Sequence, residues 1–248
     1  MAELSDIGND LRVAVVGASG GIGQALVTAL IADPSVETTY ALSRSRITEG
    51  PPGLTVLYVD LLDEAGIKAA AETCSQGGPL DVVVVASGML HDAPAVMPEK
   101  SWKQIAPDKM AMAFAINCTG PALVAKHFLP LLNGSRRSVF AALSARVGSI
   151  GDNRYGGWYA YRASKAALNM VIRSLAIELK RTRPQSICIG LHPGTVGTAL
   201  SEPFRSRLPA EQVFAPKDAA DRLLAVIARA VPAQSGRVLA WDGSEIEP

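Results

Sequence analysis

The 248 residues carry 24 Lys and Arg against 23 Asp and Glu, a formal net charge of +1, which argues against the clustered basic surface of a nucleic-acid binder. Hydrophobic residues make up 48% and aromatics only 5%, so the chain can bury a sizeable aliphatic core, and a disordered chain is excluded. No apolar run approaches the roughly 20 residues of a membrane helix, the acidic opening MAELSDIGND is no secretory signal, and Cys74, Cys118 and Cys188 share no metal-ligand spacing.

Short apolar runs alternate with longer helical patterns. Arg12–Val16 reads as a strand, and Ile22–Ala32 as a helix stopped by Pro34. Glu37–Leu42 and Leu54–Val59 are β-rich, Glu64–Cys74 is Ala-rich and helical, and Asp81–Val85 is a buried strand. Lys109–Leu132 carries apolar positions at helical spacing. Ser138–Leu143 returns as a strand, Ala160–Arg181 as a long helix ended by Pro184, and Ser186–Leu191 as a strand. Lys217–Ala230 is the last helix and Arg237–Ala240 the last strand. Strands alternating with helices predict a doubly wound α/β domain of the Rossmann type, with about seven mostly parallel strands. No linker divides the chain, so residues 1–248 form one domain, with residues 1–11 expected as a flexible tail. The segment Leu200–Pro216 holds three prolines and lies between a strand and a helix, the place for a lid.

The first strand runs into Gly17-Ala18-Ser19-Gly20-Gly21-Ile22-Gly23 and then a helix. Glycines allow a tight turn and let the backbone approach a pyrophosphate, while the helix start offers free N–H groups and a positive dipole end. The segment therefore reads as a dinucleotide loop, and a plain structural turn is the alternative. The second strand ends in Leu42-Ser43-Arg44, without the acid that would bind a ribose 2′-hydroxyl. Arg44 can instead pair with the 2′-phosphate of NADP(H), helped by Ser19 and Ser43. This favours NADP(H), with NAD(H) left open because strand ends are uncertain by a few residues.

Tyr161-Arg162-Ala163-Ser164-Lys165 lies near the start of a helix. Residues four apart share a face, so Tyr161 and Lys165 point the same way. A lysine ammonium beside a phenol favours the phenolate and is expected to lower its pKa. Tyr155 and Tyr159 have Tyr159 and Ala163 four residues later, which singles out Tyr161.

Together the G-x-x-x-G-x-G turn and the Y-x-x-x-K pair resemble the short-chain dehydrogenase/reductase family, from Arg12 to Asp242. Ser144–Asn169 is most similar to its branch of C-factor-like and sniffer-like carbonyl reductases. The resemblance implies hydride exchange between a nicotinamide and a carbonyl or alcohol substrate, with Tyr161 as acid/base and Lys165 tuning it. It implies that Asn117 holds a relay water, that Asp60 and Leu61 meet the adenine, and that Ala86, Ser87 and Gly88 pass the ribose. Asp60 has a second reading as a helix cap, although Asp63 is better placed for one. Pro193-Gly194-Thr195-Val196-Gly197-Thr198 resembles the family's P-G-x-V-x-T turn at the nicotinamide, giving roles to Pro193, Gly194, Val196 and Thr198. For the substrate-orienting serine, Ser144 directly follows a strand, and Ser149 is the competitor.

Two departures from the family pattern stand out. Ser144 is seventeen residues before Tyr161, and the fourth strand ends Val85-Ala86-Ser87-Gly88 where the family has Asn-Asn-Ala-Gly. Substrate walls are expected from Met89–Val96, Gly148–Trp158 and Leu200–Pro216, with Tyr155, Trp158, Phe204 and Leu208 suiting a bulky apolar molecule. A cytoplasmic homodimer or homotetramer, without metal, membrane or nucleic-acid partner, completes the expectation. A catalytically silent NADP(H)-binding regulator of the same fold is the alternative.

Overall fold

The computed structural model describes residues 4–45, 50–91, 97–207 and 209–248. Its centre is a sheet of seven strands: β1 (Leu11–Val16), β2 (Val36–Ser43), β3 (Leu54–Tyr58), β4 (Val82–Val85), β5 (Ser138–Leu143), β6 (Ser186–His192) and, at the far edge, Val238–Ala240. The order is β3-β2-β1-β4-β5-β6 followed by that last strand, and each neighbouring pair is parallel.

Alternation along the strands explains why both faces are covered. Val13, Val15, Val82 and Val84 face one core with Leu26, Leu30, Leu223 and Ile227 of α1 (Gly21–Ile31) and α6 (Pro216–Arg229). Ala14, Val16, Val83 and Val85 face the other, with Ile67 of α2 (Glu64–Ser75), Phe128 of α4 (Gly120–Phe128), and Leu168 and Ile172 of α5 (Tyr159–Thr182). A parallel strand covered on both sides needs this unbroken run of aliphatics. Asp63 caps α2 by accepting from Ala65 N at 3.1 Å, as its position before the helix predicts.

Three expectations change. Lys109–Leu132 is not one helix. It runs as α3 (Pro107–Phe114), a π-helical turn over Ala115–Thr119, α4, and a 3₁₀ turn over Leu129–Leu131. Pro121 explains the break, since it has no N–H to give the carbonyl of Asn117 and its ring collides with that carbonyl. The ladder slips to a bond from Gly120 N to Ala115 O. Secondly, the N-terminal segment is packed from Leu4 on. Leu4 is fully buried, its N–H bonds Asp33 Oδ2 at 2.8 Å, and Ile7 is also buried. Thirdly, two short strands escaped the pattern: β7 (Thr195–Val196), just before the expected lid, pairs in parallel with β8 (Val213–Phe214) near the lid's far end. The edge strand Val238–Ala240 is β9. Among the described residues no helix is long and apolar enough to cross a membrane.

Candidate active site

The chain order reverses at β1, which lies between β2 and β4. A parallel sheet opens a crevice at the carboxyl ends of its strands at such a point. Here that crevice is a cleft of about 500 Å³. Gly17, Ser19, Gly21, Ile22, Ser43, Arg44, Asp60, Leu61, Ala86, Ser87, Gly88, Ser144, Tyr161, Lys165, Pro193 and Thr198 all line it. Residues from the whole chain, singled out by the glycine turn, the Tyr–Lys spacing and the family resemblance, thus meet in one place.

The glycine turn is built for close approach. Gly17 has φ +87°, and a Cβ there would stand 2.8 Å from the backbone N of Ser87. A Cβ at Gly21 would lie 2.6 Å from Thr198 Cγ2, and one at Gly23 would strike the carbonyl of Gly17. Gly23 therefore serves the turn from behind instead of lining the cleft. The first turn of α1 holds no acid and Gly20 supplies no side-chain cap, which leaves its N–H groups free for an anion. At the end of β2, Ser43 Oγ donates to Ser19 Oγ at 2.6 Å and accepts from Ser45 N at 3.0 Å, with exposed Arg44 beside them. The uncapped helix, the cradle and the arginine fit a phosphorylated dinucleotide. Asp60 accepts from Leu62 N at 3.0 Å and holds the turn at the cleft edge.

On the opposite wall, α5 presents Tyr161 and Lys165. The helix begins at Trp158, in the left-handed region at φ +51°, with no side-chain cap of its own. Glu99 supplies what is missing. Its carbonyl accepts from Trp158 N at 2.6 Å, and its buried carboxylate accepts from Ala160 N at 3.3 Å. Lys165 is buried and donates to Leu143 O at 2.7 Å, with its Nζ 5.9 Å from the centre of the Tyr161 ring.

The expected lowering of the tyrosine pKa is not found in the protein alone. Burial pushes the Tyr161 phenol up to about 12 and the Lys165 amine down to about 8. Desolvation disfavours each charged form, and Lys165 turns its ammonium to a carbonyl instead of to the phenol.

Asn117 stands at the π-helical turn, fully buried, behind the cleft wall. Its Oδ1 accepts from Met89 N at 2.8 Å, and its Nδ2 donates to Met89 O at 2.8 Å and to Ser164 Oγ at 3.0 Å. This side chain ties down the segment after β4, where the family's own asparagines are missing. Ser144 and Ser149 part company. Ser144 lies on the cleft and donates to Asn169 Oδ1 at 2.6 Å. Ser149 bonds Pro248 O at 3.3 Å and Asp152 N at 3.0 Å, away from the cleft. Gly194 and Val196 also lie outside it: Gly194, at φ +75°, packs under Phe214 and Trp241, and Val196 is buried in β7.

Of the expected substrate walls, Met89, His91 and Leu200 line the cleft, joined by Ala199 just before the third segment. Trp158 packs on Phe204 at 5.0 Å and on Tyr161 at 6.3 Å between ring centres, and His91 reaches Phe204 at 5.8 Å. His91 Nε2 also meets Ala199 O at 3.1 Å. Tyr155, by contrast, is 94% exposed and belongs to the outer surface. Asp92–Val96 and the Leu208 side chain lie outside the described residues. Reasoning from motifs missed Ser45, Ile116 and Ala199; of these Ser45, two residues after Ser43, and Ala199, next to Thr198, had a local signal.

A doubly wound parallel sheet whose switch-point cleft joins a glycine cradle to a half-buried tyrosine and a buried lysine defines a Rossmann-type oxidoreductase fold. The chain belongs to the short-chain dehydrogenase family, whose pattern matches residues 12–209. It is 31% identical over 238 residues to 1-hydroxy-2-glutathionyl-2-methyl-3-butene dehydrogenase of Rhodococcus sp. (strain AD45), covering 95% of this chain and 98% of that one. It is 41% identical to C-signal of Myxococcus xanthus over 139 residues, 55% of this chain and 77% of that one. Among solved structures, NADPH-bound carbonyl reductase from chicken fatty liver superposes with a TM-score of 0.79 at 25% identity, covering 97% and 100% of the two chains. Carbonyl reductase Sniffer of D. melanogaster superposes with a TM-score of 0.81 at 23% identity, with the same coverage.

Proposed function

We propose that the protein is an NADP(H)-dependent carbonyl reductase with Tyr161 as its acid. The observation that carries this reading is convergence: Ser144, Tyr161 and Lys165 open onto the same cleft as the Gly17 cradle and Arg44. NADPH, when bound, supplies the hydride that reaches the carbonyl carbon. Tyr161 donates its phenolic proton to the carbonyl oxygen, and the product is the alcohol. A phenol held near 12 stays protonated at neutral pH, the state that reduction needs. Lys165, charged below about 8, stabilises the phenolate left behind and returns its proton by way of a relay beside Asn117. Ser144 contacts the reacting oxygen. Aromatic Trp158 and Phe204 with His91 and Met89 favour a bulky, largely apolar carbonyl substrate.

The preference for NADP(H) is supported by Arg44, which takes the place of an acid at the end of β2, and by the NADPH found in the chicken enzyme. The similarity to C-signal favours a second reading, a protein that binds the dinucleotide but whose role is signalling. A fluorescence titration with NADPH and NADH separates these readings when followed by absorbance of the reduced nicotinamide with a panel of ketones, aldehydes and diketones. Tight NADPH binding with turnover supports the reductase. Binding without turnover supports the signalling role, and failure to bind either nucleotide overturns both.

A further inference from the structure

We infer that Trp158 is a positioning residue for Tyr161, and that it takes its own place from Phe204 of the lid segment. This rests on Tyr161 being the acid of the cleft. Trp158 stands in the left-handed region, at φ +51° and ψ +43°. A bulky side chain is costly there, whereas glycine is not. The two residues before it, Gly156 and Gly157, are glycines at φ +61° and +67°. The turn into α5 thus sets a tryptophan where a third glycine would fit without strain. Such an outlier persists only where its surroundings fix it. Both ends of this residue are fixed: its N–H donates to Glu99 O at 2.6 Å, and its carbonyl accepts from Arg162 N at 2.8 Å.

With the backbone held, only the side-chain torsions remain to aim the indole. It meets the Tyr161 ring at 6.3 Å and 68° between planes, and the Phe204 ring at 5.0 Å and 59°. Both separations lie in the attractive range for aromatic pairs, and neither pair is face to face. Phe204, in the 3₁₀ turn Glu202–Arg207, is also met by the His91 ring at 5.8 Å. Ring contacts therefore run unbroken from the lid through Trp158 to the acid. Tyr161 lies in the first turn of α5, and helix ends are where helices fray. A phenol that must come within hydrogen-bond reach of the carbonyl oxygen needs a brace there. Lys165, with its Nζ 5.9 Å from the ring centre, stands one turn further along; Trp158 braces the ring from the helix start.

The test measures kcat and KM separately, with NADPH and two ketones that the parent reduces. One is diacetyl, which has only methyl groups to lay against a wall, and the other is a bulky aryl ketone. Trp158→Gly removes the ring and suits the left-handed backbone. It is expected to lower kcat about 10-fold for both ketones, because a misplaced acid slows the chemical step whatever the substrate. The KM for diacetyl and the NADPH titration should stay within about 2-fold of the parent, since neither depends on where the phenol points. Trp158→Phe returns a ring and should recover kcat to within about 3-fold. Trp158→Asn, which also tolerates this backbone, is measured beside the glycine variant, and thermal melting reports whether each is folded. Phe204→Ala should lower kcat about 3-fold in the parent and leave it unchanged in Trp158→Gly, because residues acting through one another are not additive. A loss confined to the bulky ketone and carried by KM overturns the inference and makes Trp158 a substrate wall alone. A loss that Trp158→Phe does not recover also overturns it, as does an equal effect of Phe204→Ala in both backgrounds. A parent that binds NADPH but reduces no carbonyl overturns the reading of the cleft as well.

Discussion

The two ends of the central sheet are built to opposite rules. At the amino ends of the strands, most polar groups are paired with one another. Asp81, 1% exposed, accepts from Arg12 N at 3.0 Å, Asn133 Nδ2 at 3.0 Å, and Arg136 Nε and Nη2 at 2.7 and 2.8 Å. Ser138 and Ser186 share a hydrogen bond at 2.8 Å across β5 and β6. Arg137 donates to the carbonyls of Asp6, Ala228 and Ala230. At the carboxyl ends, glycines replace side chains, α1 starts without a side-chain cap, and a half-buried tyrosine and a buried lysine have little to neutralise them. The same strands thus serve stability at one end and leave binding capacity at the other, and substitutions at the two ends should fail in different ways.

The sharpest test is at the cleft. Tyr161→Phe is expected to lower kcat about 10²–10⁴-fold, the usual worth of a positioned acid. The thermal midpoint and the NADPH titration should stay close to the parent values. A parallel loss of NADPH binding would mean that Tyr161 supports the site's shape and not the proton transfer. At the far end, Asp81→Ala should do the reverse. It strands the Asn133 amide, the Arg12 N–H and the Arg136 guanidinium. Arg136 is about a third exposed, so the loss should fall at the low end for a broken buried pair, about 3 kcal/mol of stability in urea unfolding. The kcat of the folded fraction should not change. If Asp81→Ala instead altered kcat with stability intact, the division between the two ends would not hold.

The same division decides what could be read from the chain alone. Strands were legible because two covered faces demand aliphatics at consecutive positions, and β5 ends where its apolar run does and begins one residue before it, at Ser138. The cleft was legible where a motif has fixed spacing, as at Gly17–Gly23 and Tyr161–Lys165. What escaped depends on three-dimensional burial or on a partner distant in sequence. The high Tyr161 pKa is set by burial, which the Tyr–Lys spacing does not report. The π-helical turn at Asn117 did leave a trace, since Pro121 stands four residues on. Glu99 as the cap of α5, and Asn169 as the partner of Ser144, come from 61 and 25 residues away and carry no local pattern. β7 and β8 are two residues each, too short for any periodicity.

Arg44 tests the cleft at its rim. Arg44→Ala should weaken NADPH about 10-fold or somewhat more, the worth of one charge-assisted contact, and leave NADH within about 2-fold. Loss of both nucleotides alike would make Arg44 a general electrostatic attractor and leave the 2′-phosphate without a reader.

The smallest expected effect concerns His192, at the carboxyl end of β6. Burial, reinforced by the positive charge of Arg146 and opposed by Asp242, holds its imidazole down to about 4. Its Nδ1 is buried without a hydrogen-bond partner among the described residues. The unfolded chain takes up a proton near 6.5, whereas the folded site refuses it until about 4. The unfolded state therefore binds more protons between these values, and stability must fall as the pH drops through that window. Above 6.5 the imidazole is neutral in both states and contributes no slope. His192→Asn should flatten this part of the acid limb, so that the drop in thermal midpoint from pH 7 to pH 4.5 is smaller by a few degrees than in the parent. An unchanged drop would assign the acid limb to carboxylates, and would mean that the cleft end of β6 tolerates a buried charge as readily as the amino end of the sheet holds Asp81.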